Sequence, residues 1–512
     1  MRLRRYGGPA RRGGLLGLLA LALAACGTTV PMSSSTGAPG QGAVDGGLTA
    51  PGVVTPGGTL SQPSVGSPTS SGSTTGALAG PSSGSASLAP GGGSAPALPA
   101  TGRGYDAKHV YLGFPTNNDV NQAAGALGLG ALDFGDQDAI IDAVVADLNA
   151  RGGLLGRSVV AVKHDLKTAD LQTDPSKMAE ETCAALTEDR PVVAVVNVVA
   201  AIDVKTFYGC LARHATPVVS AGFTVVDDPF LAEFAPHLTK LTASSFTYLT
   251  PLWLERLVAL RYFTPWNTLS GAPGTPPVKV GLLYPSVQPQ QRIFADVHKR
   301  LVARGFTVVP DVQYTTASLD AEGAAMSNAV LSFNSQGVTH VLSSDSDVLL
   351  FMQAADKQQY RPRYGLTSYH APAAALQAIV PASQLVGALG VGWLPVSDVD
   401  SAHSPGSVGP GEKACRATMS KHSVAISEAG ARIIAFAECD GVALLASTIT
   451  SAKAFAATAL RQATGVVGPS FSSALVWSSA LSSTRADLPG SARDLGFDGT
   501  AFRYLSATNR AF

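Results

Sequence analysis

The chain has 512 residues, enough for two or three domains, and 46% of them are hydrophobic while only 14% are charged. Residues 1–25 hold five of the 36 basic residues and no acid, so the remainder carries 31 bases against 36 acids, a net charge of −5. This balance leaves no basic patch that could neutralise phosphates and disfavours nucleic-acid binding. No uninterrupted apolar run reaches the roughly 20 residues that a membrane-spanning helix needs.

The N-terminus has the pattern of a bacterial export signal. An Arg-rich stretch precedes the apolar segment Leu15–Ala25, which is too short to span a bilayer but has the length of a signal-peptide core. The junction Leu23–Cys26 (LAAC) resembles a lipobox, in which the cysteine is acylated and becomes the new N-terminus. The alternative is an ordinary secretory signal with an unrelated cysteine. We expect removal of residues 1–25, lipidation of Cys26 and an extracytoplasmic protein anchored to the outer face of the cell membrane.

Residues 27–104 consist almost entirely of Gly, Ser, Thr, Pro and Ala, with Asp45 and Arg103 as their only charged residues. This composition cannot bury enough apolar area to offset the entropy lost on ordering. As a flexible coil the stretch would have a root-mean-square span of roughly 50 Å. We therefore expect residues 26–104, the acylated cysteine and a disordered linker, to tether a folded region to the membrane.

From His109 onward, strand-like and helix-like segments alternate. Strands are predicted at 109–114, 158–163, 192–196 and 217–220, with helices near 136–152, 174–186 and 203–212. In the first of these helices, Ile140, Val144 and Leu148 recur at helical spacing. The run at 192–196 is continuously apolar, as a strand buried on both faces of a parallel sheet requires.

The alternation restarts at 278–284, the strongest strand pattern of the chain. Further strands are predicted at 307–309, 340–343 and 364–366, with helices near 293–304, 324–333 and 349–357. Two successive β-α-β runs predict an α/β fold class with two doubly wound parallel-sheet lobes. In such sheets ligands bind beyond the carboxyl ends of the strands, so the natural site is a central cleft between the lobes.

The segment 139–157 carries a family resemblance, most clearly in the stretch NARGGLLGR at 149–157. It resembles the first helix and turn of leucine/isoleucine/valine-binding proteins, the type I periplasmic-type substrate-binding proteins of ABC transporters, here in a bacterial lipoprotein form. Gly152 and Gly153 would let the chain leave the helix through positive φ. The resemblance covers most of 105–400 and continues weakly to the C-terminus.

The resemblance implies two lobes joined by three crossovers and closing on a solute by hinge motion. It places crossovers near 248, near 375 and near the C-terminus. Lobe one would then comprise 105–248 and 376–480, lobe two 249–375, and residues 481–512 would return to lobe two or the hinge. It also implies a monomer whose partners are a small-molecule solute and the permease subunits of an ABC importer.

Five cysteines are present, and assigning Cys26 to lipid leaves an even four in an oxidising compartment. The most economical pairing joins Cys183 to Cys210 and Cys415 to Cys439. Each bond would close a loop of about 25 residues and stabilise the fold by about 3–4 kcal/mol. The alternative is buried free thiols. A metal site is disfavoured because no two cysteines have the spacing of metal ligands.

The family holds amino acids through two hydroxyl-rich turns that follow neighbouring strands. The first turn aligns with 198–201, which has lost its hydroxyls, whereas the second survives as Ser220–Thr224. These departures put amino-acid specificity in doubt and favour a less polar or aromatic solute. The alternative for each residue is an ordinary turn or loop position. The candidate ligand-binding residues are Ala200, Ala201, Gly222, Phe223, Thr224, Tyr284, Ser346, Ser368 and Tyr369.

Enzyme signatures are poor. The folded region lacks the G-x-S-x-G and H-E-x-x-H motifs, and the glycine-rich stretch 406–413 has Glu412 where a phosphate loop has lysine. The sequence therefore predicts a substrate-binding protein without catalytic residues, metal or cofactor. Its solute would be an amino acid, an amide, or an aromatic or small organic acid, delivered to an ABC importer. The alternative is a ligand-sensing or interaction lipoprotein that uses the same fold without transport.

Overall fold

A computed structural model of the chain describes residues 98–122, 133–315, 319–404 and 406–512. The predicted signal peptide, the lipidation site at Cys26 and the linker as far as residue 97 lie outside the described residues.

Lobe one contains a sheet of five parallel strands. They are β1 His109–Thr116, β2 Ser158–Asp165, β3 Ala194–Asn197, β4 Val218–Ser220 and β5 Leu238–Lys240. Their order in the sheet is β2-β1-β3-β4-β5, and Leu112 of β1 pairs with both Ala161 and Ala194. Every residue of β3 and β4 is buried, in agreement with the continuously apolar run predicted at 192–196 for a strand covered on both faces.

Among the described residues, five α-helices of six or more residues lie between these strands. They are α1 Gln137–Ala150, α2 Thr168–Thr173, α3 Pro175–Ala184, α4 Lys205–Arg213 and α5 Asp228–Glu233. The Asp136 carboxylate accepts a hydrogen bond from the backbone of Ala139 and caps α1. Gly152 and Gly153 follow α1 with φ of +102° and +66°, as the sequence predicts.

The last residues assigned to the linker belong to lobe one. Leu98 packs against the hydrophobic core, and the Arg103 guanidinium donates to the backbone carbonyl of Thr187 over 2.9 Å. Gly104 has φ +79°, and a Cβ there would lie 2.4 Å from the backbone nitrogen of Val193. These contacts correct the expected boundary at 104, because they hold residues 98–104 on the folded lobe.

Lobe two begins after a short antiparallel pair, β6 Trp266–Asn267 and β7 Ala272–Pro273. Its sheet contains β8 Lys279–Pro285, β9 Thr307–Val308, β10 Val312–Tyr314, β11 His340–Ser343, β12 Arg363–Thr367, β13 Leu389–Gly392, β14 Ser491–Phe497, β15 Phe502–Tyr504 and β16 Arg510–Ala511. The main order is β10-β8-β11-β12-β13-β14-β15, with β9 on β8 and β16 on β14. The strands are parallel through β13, and β14 then runs antiparallel to it.

The helices of the second half divide between the two lobes. Those before β13 are α6 Phe246–Ala259, α7 Gln290–Ala303, α8 Leu319–Ser335, α9 Val348–Lys357, α10 Gln377–Ile379 and α11 Ala382–Leu385, and those after it are α12 Pro395–Asp398, α13 Pro410–Lys421, α14 Ala429–Ala452 and α15 Ala457–Val467. Both α13 and α14 pack on α1, and α14 also contacts β3 and β4, so the chain returns to lobe one.

The return to lobe one comes later than the sequence predicts. The crossover was expected near residue 375, but β13 pairs with both β12 and β14 and keeps the chain in the second sheet through Gly392. At the crossovers, the Trp393 indole donates to the carbonyl of Thr242 and the Tyr369 hydroxyl donates to the carbonyl of Ser244, each over 2.7 Å. These bonds tie the connecting segments together.

Two disulfides join helices within lobe one, and both pairings agree with the sequence prediction. Cys183 of α3 is bonded to Cys210 of α4, and Cys415 of α13 to Cys439 of α14. In the described part of the chain, α14 is the one helix long and apolar enough to span a membrane, but 67% of its apolar window is buried in the fold. It is a core helix, and its sequence includes the buried acids Glu438 and Asp440.

Candidate functional site

A cavity of about 90 Å³ lies between the two lobes, beyond the carboxyl ends of β3 and β4. Lobe one and lobe two both line it. The lining residues are Phe134, Val198, Ala200, Ala221, Phe223, Ala429, Gly430, Ile433, Ile434 and Ala437 from lobe one, and Ala371, Ala374, Ala375 and Ser397 from lobe two. Phe223, Ala374 and Ile433 are only half-buried, so the cavity opens towards solvent. This is the position that the strand topology predicts for a ligand site.

The walls of the cavity are apolar because Ala, Val, Ile and Phe side chains make up most of the lining. The turn after β3 supplies Val198 and Ala200, whose side chains have no polar atom. The start of α14 fits closely against the loop before α1: a Cβ on Gly430 would lie 2.5 Å from the carbonyl oxygen of Asp133. Farther along α14, Ile434 and Ala437 lie one turn apart on the face towards the cavity.

A buried ion pair supports the turn that carries Phe223. The Lys240 ammonium lies 2.5 Å from the Asp203 carboxylate, and both side chains are fully buried. The Ser220 hydroxyl and the Tyr208 hydroxyl donate to the same carboxylate. Burial alone would raise the pKa of Asp203, but the Lys240 charge and these hydrogen bonds outweigh it, so the pKa is lowered.

Thr224 belongs to this network. Its hydroxyl donates to the backbone carbonyl of Asp203, and its backbone N–H donates to the Asp203 carboxylate over 3.0 Å. Gly222 is required in the same turn, since a Cβ there would lie 2.2 Å from the Asp203 carboxyl carbon. The hydroxyls of Ser220 and Thr224 therefore hold the turn together.

The candidate residues of lobe one separate into two groups. Ala200 and Phe223 line the cavity, while Ala201, Gly222 and Thr224 are buried beside it. The structure therefore brings together two of the candidates, one from the turn after β3 and one from the turn after β4.

The candidate residues of lobe two make contacts within the protein. The Tyr284 hydroxyl donates to Asp311 over 2.9 Å, and its ring stacks on Phe294. Ser368 donates to Asp398 over 2.8 Å. The Tyr369 ring stacks on Phe246 at the crossover.

Ser346 lies in the turn after β11 and is buried there, with its backbone carbonyl accepting from Leu349. It is not among the lining residues of the cavity, and neither are Tyr284, Ser368 and Tyr369. In lobe two, the segment 371–375 lines the cavity instead. The four residues therefore stay predictions without a contact to the cavity.

Several lining residues were not identified from the sequence. Phe134 precedes α1, Ile433 and Ile434 lie on α14, and Ala374 and Ser397 belong to lobe two. Their separation along the chain hides their proximity, because α14 reaches the cleft only on the second passage through lobe one. The apolar face at the start of α14 was the available signal.

Two buried carboxyl groups lie next to lining residues. Asp398 follows Ser397, and burial raises its pKa to about 7 although Tyr504, Ser368 and the backbone of Leu394 donate hydrogen bonds to it. Glu438 follows Ala437, and burial raises its pKa well above the usual range. Within the described ranges, no group of three or more His, Cys, Asp and Glu side chains could hold a metal ion.

An ion pair bridges the lobes at the edge of the cleft. Arg292 at the start of α7 in lobe two makes two hydrogen bonds, of 3.0 and 2.9 Å, to the Asp227 carboxylate of lobe one. Asp227 is nearly buried and also caps α5 by accepting from the backbone of Phe230. This paired geometry joins the two lobes in the structure.

Two doubly wound lobes, three crossovers and a cleft between the carboxyl edges define the type I periplasmic binding-protein fold. The structure is similar to a branched-chain amino acid ABC transporter protein from Thermus thermophilus with bound valine, at 14% identity and a TM-score of 0.54, covering 79% of this chain and 96% of that one. It is also similar to a solute binding protein of an ABC transporter from Rhodopseudomonas palustris HaA2 in complex with p-hydroxybenzoic acid (14% identity, TM-score 0.55, covering 79% and 98%).

A third similar structure is a fatty acid ABC transporter substrate-binding protein from Thermomonospora curvata, at 13% identity and a TM-score of 0.54, covering 80% of this chain and 94% of that one. At these identities the likeness establishes the fold. No protein-family pattern and no curated protein sequence matches the chain.

Proposed function

We propose that this protein is an extracytoplasmic solute-binding lipoprotein that captures a small solute between its lobes and delivers it to an ABC importer. The cavity carries the proposal, because residues of both lobes line it and hinge closure would bury a solute there. The fold supports binding in preference to catalysis, and the similar structures include transport proteins with solutes bound.

The solute class follows from the walls of the cavity. Its lining is apolar, and the hydroxyls at Ser220 and Thr224 are engaged by Asp203. An amino acid would need partners for both its charged groups. Among the expected classes, we therefore favour amides and aromatic or other largely apolar molecules over amino acids.

Delivery requires that the permease distinguish the closed, loaded form. The bridge between Arg292 and Asp227 supports this step, because it joins the lobes at the edge of the cleft and would form as they close.

The signal-peptide pattern and Cys26 support the membrane location. Cys26→Ala should move the protein from the membrane fraction to the soluble fraction, and its continued retention in membranes would contradict the anchor.

The experiment that tests solute binding is a thermal-shift screen of the full chain against amides, aromatic acids and alcohols, fatty acids, amino acids and sugars. A solute at 100 times its dissociation constant should stabilise the protein by about 2.7 kcal/mol, which is visible as a rise in Tm. A hit in one class supports a receptor for that class. The absence of a shift across all classes would contradict capture of these solutes.

The second candidate is a sensing or interaction lipoprotein that does not serve a transporter. It is favoured by the loss of family hydroxyls at 198–201 and by the structural use of Thr224. Deleting the gene in its native host would distinguish the two, because a transport protein is needed for uptake of its solute. Normal uptake in the deletion strain would favour the sensing role.

A further inference from the structure

The cavity between the lobes has a chemically simple lining. Among its described lining residues, Ser397 alone has a polar side-chain atom, and none has a charged side chain. Residues 123–132, which lie outside the described part, include no ionisable residue in the sequence. The side chains of the described lining would therefore offer a solute only hydrocarbon, except at Ser397.

Ser397 is held firmly at the cavity wall. Its backbone N–H donates to the carbonyl of Leu394 over 2.9 Å at the start of α12. The side chain is fully buried, and its hydroxyl has no hydrogen-bond partner among the described residues. Neighbouring Ser368 donates to Asp398 instead. A serine hydroxyl can donate one hydrogen bond and accept others, and a buried one without a partner is costly.

The surroundings of the cavity oppose an anionic solute. A buried carboxylate needs a cation or several donors to offset its desolvation. No cation lies in the described lining, and two buried acids follow lining residues in the chain: Asp398 follows Ser397, and Glu438 follows Ala437.

We infer that the cleft selects an uncharged, largely apolar solute with one hydrogen-bonding group, and that Ser397 is the residue that recognises this group. The inference rests on the proposed function, since it names the solute class of the same cavity. Phe134 and Phe223 are half-buried in the lining and add aromatic surface to it, so a compact aromatic molecule suits the walls.

Phenol, benzene and benzoate are probes of similar size that test the effect of the hydroxyl group and the effect of charge separately. Phenol is neutral at pH 7 and has one hydroxyl, benzene lacks it, and benzoate is charged. Isothermal titration calorimetry of the full chain should give phenol a dissociation constant at least about tenfold lower than that of benzoate. Ser397→Ala should weaken phenol binding by about three- to tenfold, the value of one hydrogen bond, and leave benzene binding unchanged.

Ser244→Ala is the matched control. Ser244 is equally buried and its hydroxyl also lacks a hydrogen-bond partner among the described residues, but it lies outside the cavity lining. This variant should bind phenol like the wild type. Benzoate binding as tight as phenol, or phenol binding unchanged by Ser397→Ala, would overturn the inference while leaving solute capture intact.

Failure of all three probes to bind would also overturn the inference. The proposed function would then depend on the thermal-shift screen, in which a charged or zwitterionic solute could still produce a shift. The two failures are distinguishable because the screen includes classes that the inference excludes.

Discussion

At the residue scale, Asp203 and Lys240 determine the shape of the turn that reaches the cleft. Asp203 binds Lys240, Ser220 and Tyr208 through its carboxylate and Thr224 through both its carbonyl and its carboxylate. The network lies behind the turn, so Phe223 is directed towards the cavity. Because the pKa of Asp203 is lowered, its stabilising effect is present above the unfolded value near 3.9 and is lost only as the pH falls through the lower folded value.

Lys240→Met should destabilise the protein strongly. It leaves the Asp203 charge buried without its cation, which typically costs about 3–5 kcal/mol. Chemical unfolding followed by circular dichroism measures the change.

The matched control for this substitution is Lys177→Met. Lys177 pairs with Glu181 over 3.5 Å on the surface of α3, where both side chains are largely exposed, so the change should be below about 1 kcal/mol. Equal effects of the two substitutions would contradict the role given to the buried pair.

The sequence predicted some of the site at this scale. Ala200 and Phe223 lie in the turns after β3 and β4, which the family resemblance indicated as ligand-binding turns. The contacts of Thr224, Ser368 and Tyr369 involve partners far apart in sequence, and no local pattern indicates them. Ser397 was missed for the same reason, since it reaches the cavity through a crossover that the sequence placed too early.

At the element scale, two disulfides hold the helices of lobe one. The bond between Cys183 and Cys210 joins residues 27 positions apart, and that between Cys415 and Cys439 joins residues 24 positions apart. The second bond attaches α13 to α14, the helix that supplies much of the cavity wall. It therefore connects the stability of lobe one with the shape of the site.

Removing either disulfide should lower the free energy of unfolding by about 3–4 kcal/mol, because the unfolded chain gains entropy. The test compares Tm with and without dithiothreitol for the wild type and for Cys415→Ala combined with Cys439→Ala. The reductant should lower the wild-type Tm more than that of the double variant. A variant carrying all four alanines should not respond, and an unresponsive wild type would contradict the prediction.

Most elements of the fold could be predicted from periodicity. The helices α1, α3, α4, α7 and α9 and the strands β1, β2, β8 and β11 lie within a few residues of their predicted positions. The boundary near 375 failed because β13 is short and Gly-rich, with no strong strand pattern. The linker boundary failed because composition alone does not reveal that Leu98 and Arg103 have partners on lobe one.

At the scale of the whole molecule, Arg292 and Asp227 favour the closed arrangement of the lobes. Arg292→Gln should raise the dissociation constant for any solute of the cleft by about three- to tenfold, mainly through faster dissociation, because the closed state loses a charged pair. Surface plasmon resonance measures both rates. Arg300→Gln on the same helix removes only the pair with Asp296 and should leave binding unchanged. Equal effects of the two variants would contradict a role in closure.

Buried acids give the whole protein a pH dependence. Burial raises the pKa of Asp398 and of Asp440 to about 7, and burial with the nearby Asp347 raises that of Asp345 to about 8. In the unfolded chain these groups titrate near 3.9, so their stabilising contribution is complete below that pH and is lost as the pH rises to 7–8. Calorimetry should show Tm falling by about 3 °C or more between pH 5.5 and 8.5. Asp440→Asn should make Tm fall less over this pH range, and a Tm that rises with pH in the wild type would contradict the prediction.

The most direct test of solute capture is to fill the cavity. Ala374 is half-buried and lines it, so Ala374→Trp should occupy the space and abolish binding of the solute found in the thermal-shift screen. Ala373→Trp is the control, because Ala373 is equally half-buried one position earlier and is not among the lining residues. Binding lost in Ala374→Trp and kept in Ala373→Trp is the predicted result. Unchanged binding in a folded Ala374→Trp protein would contradict capture in the cleft.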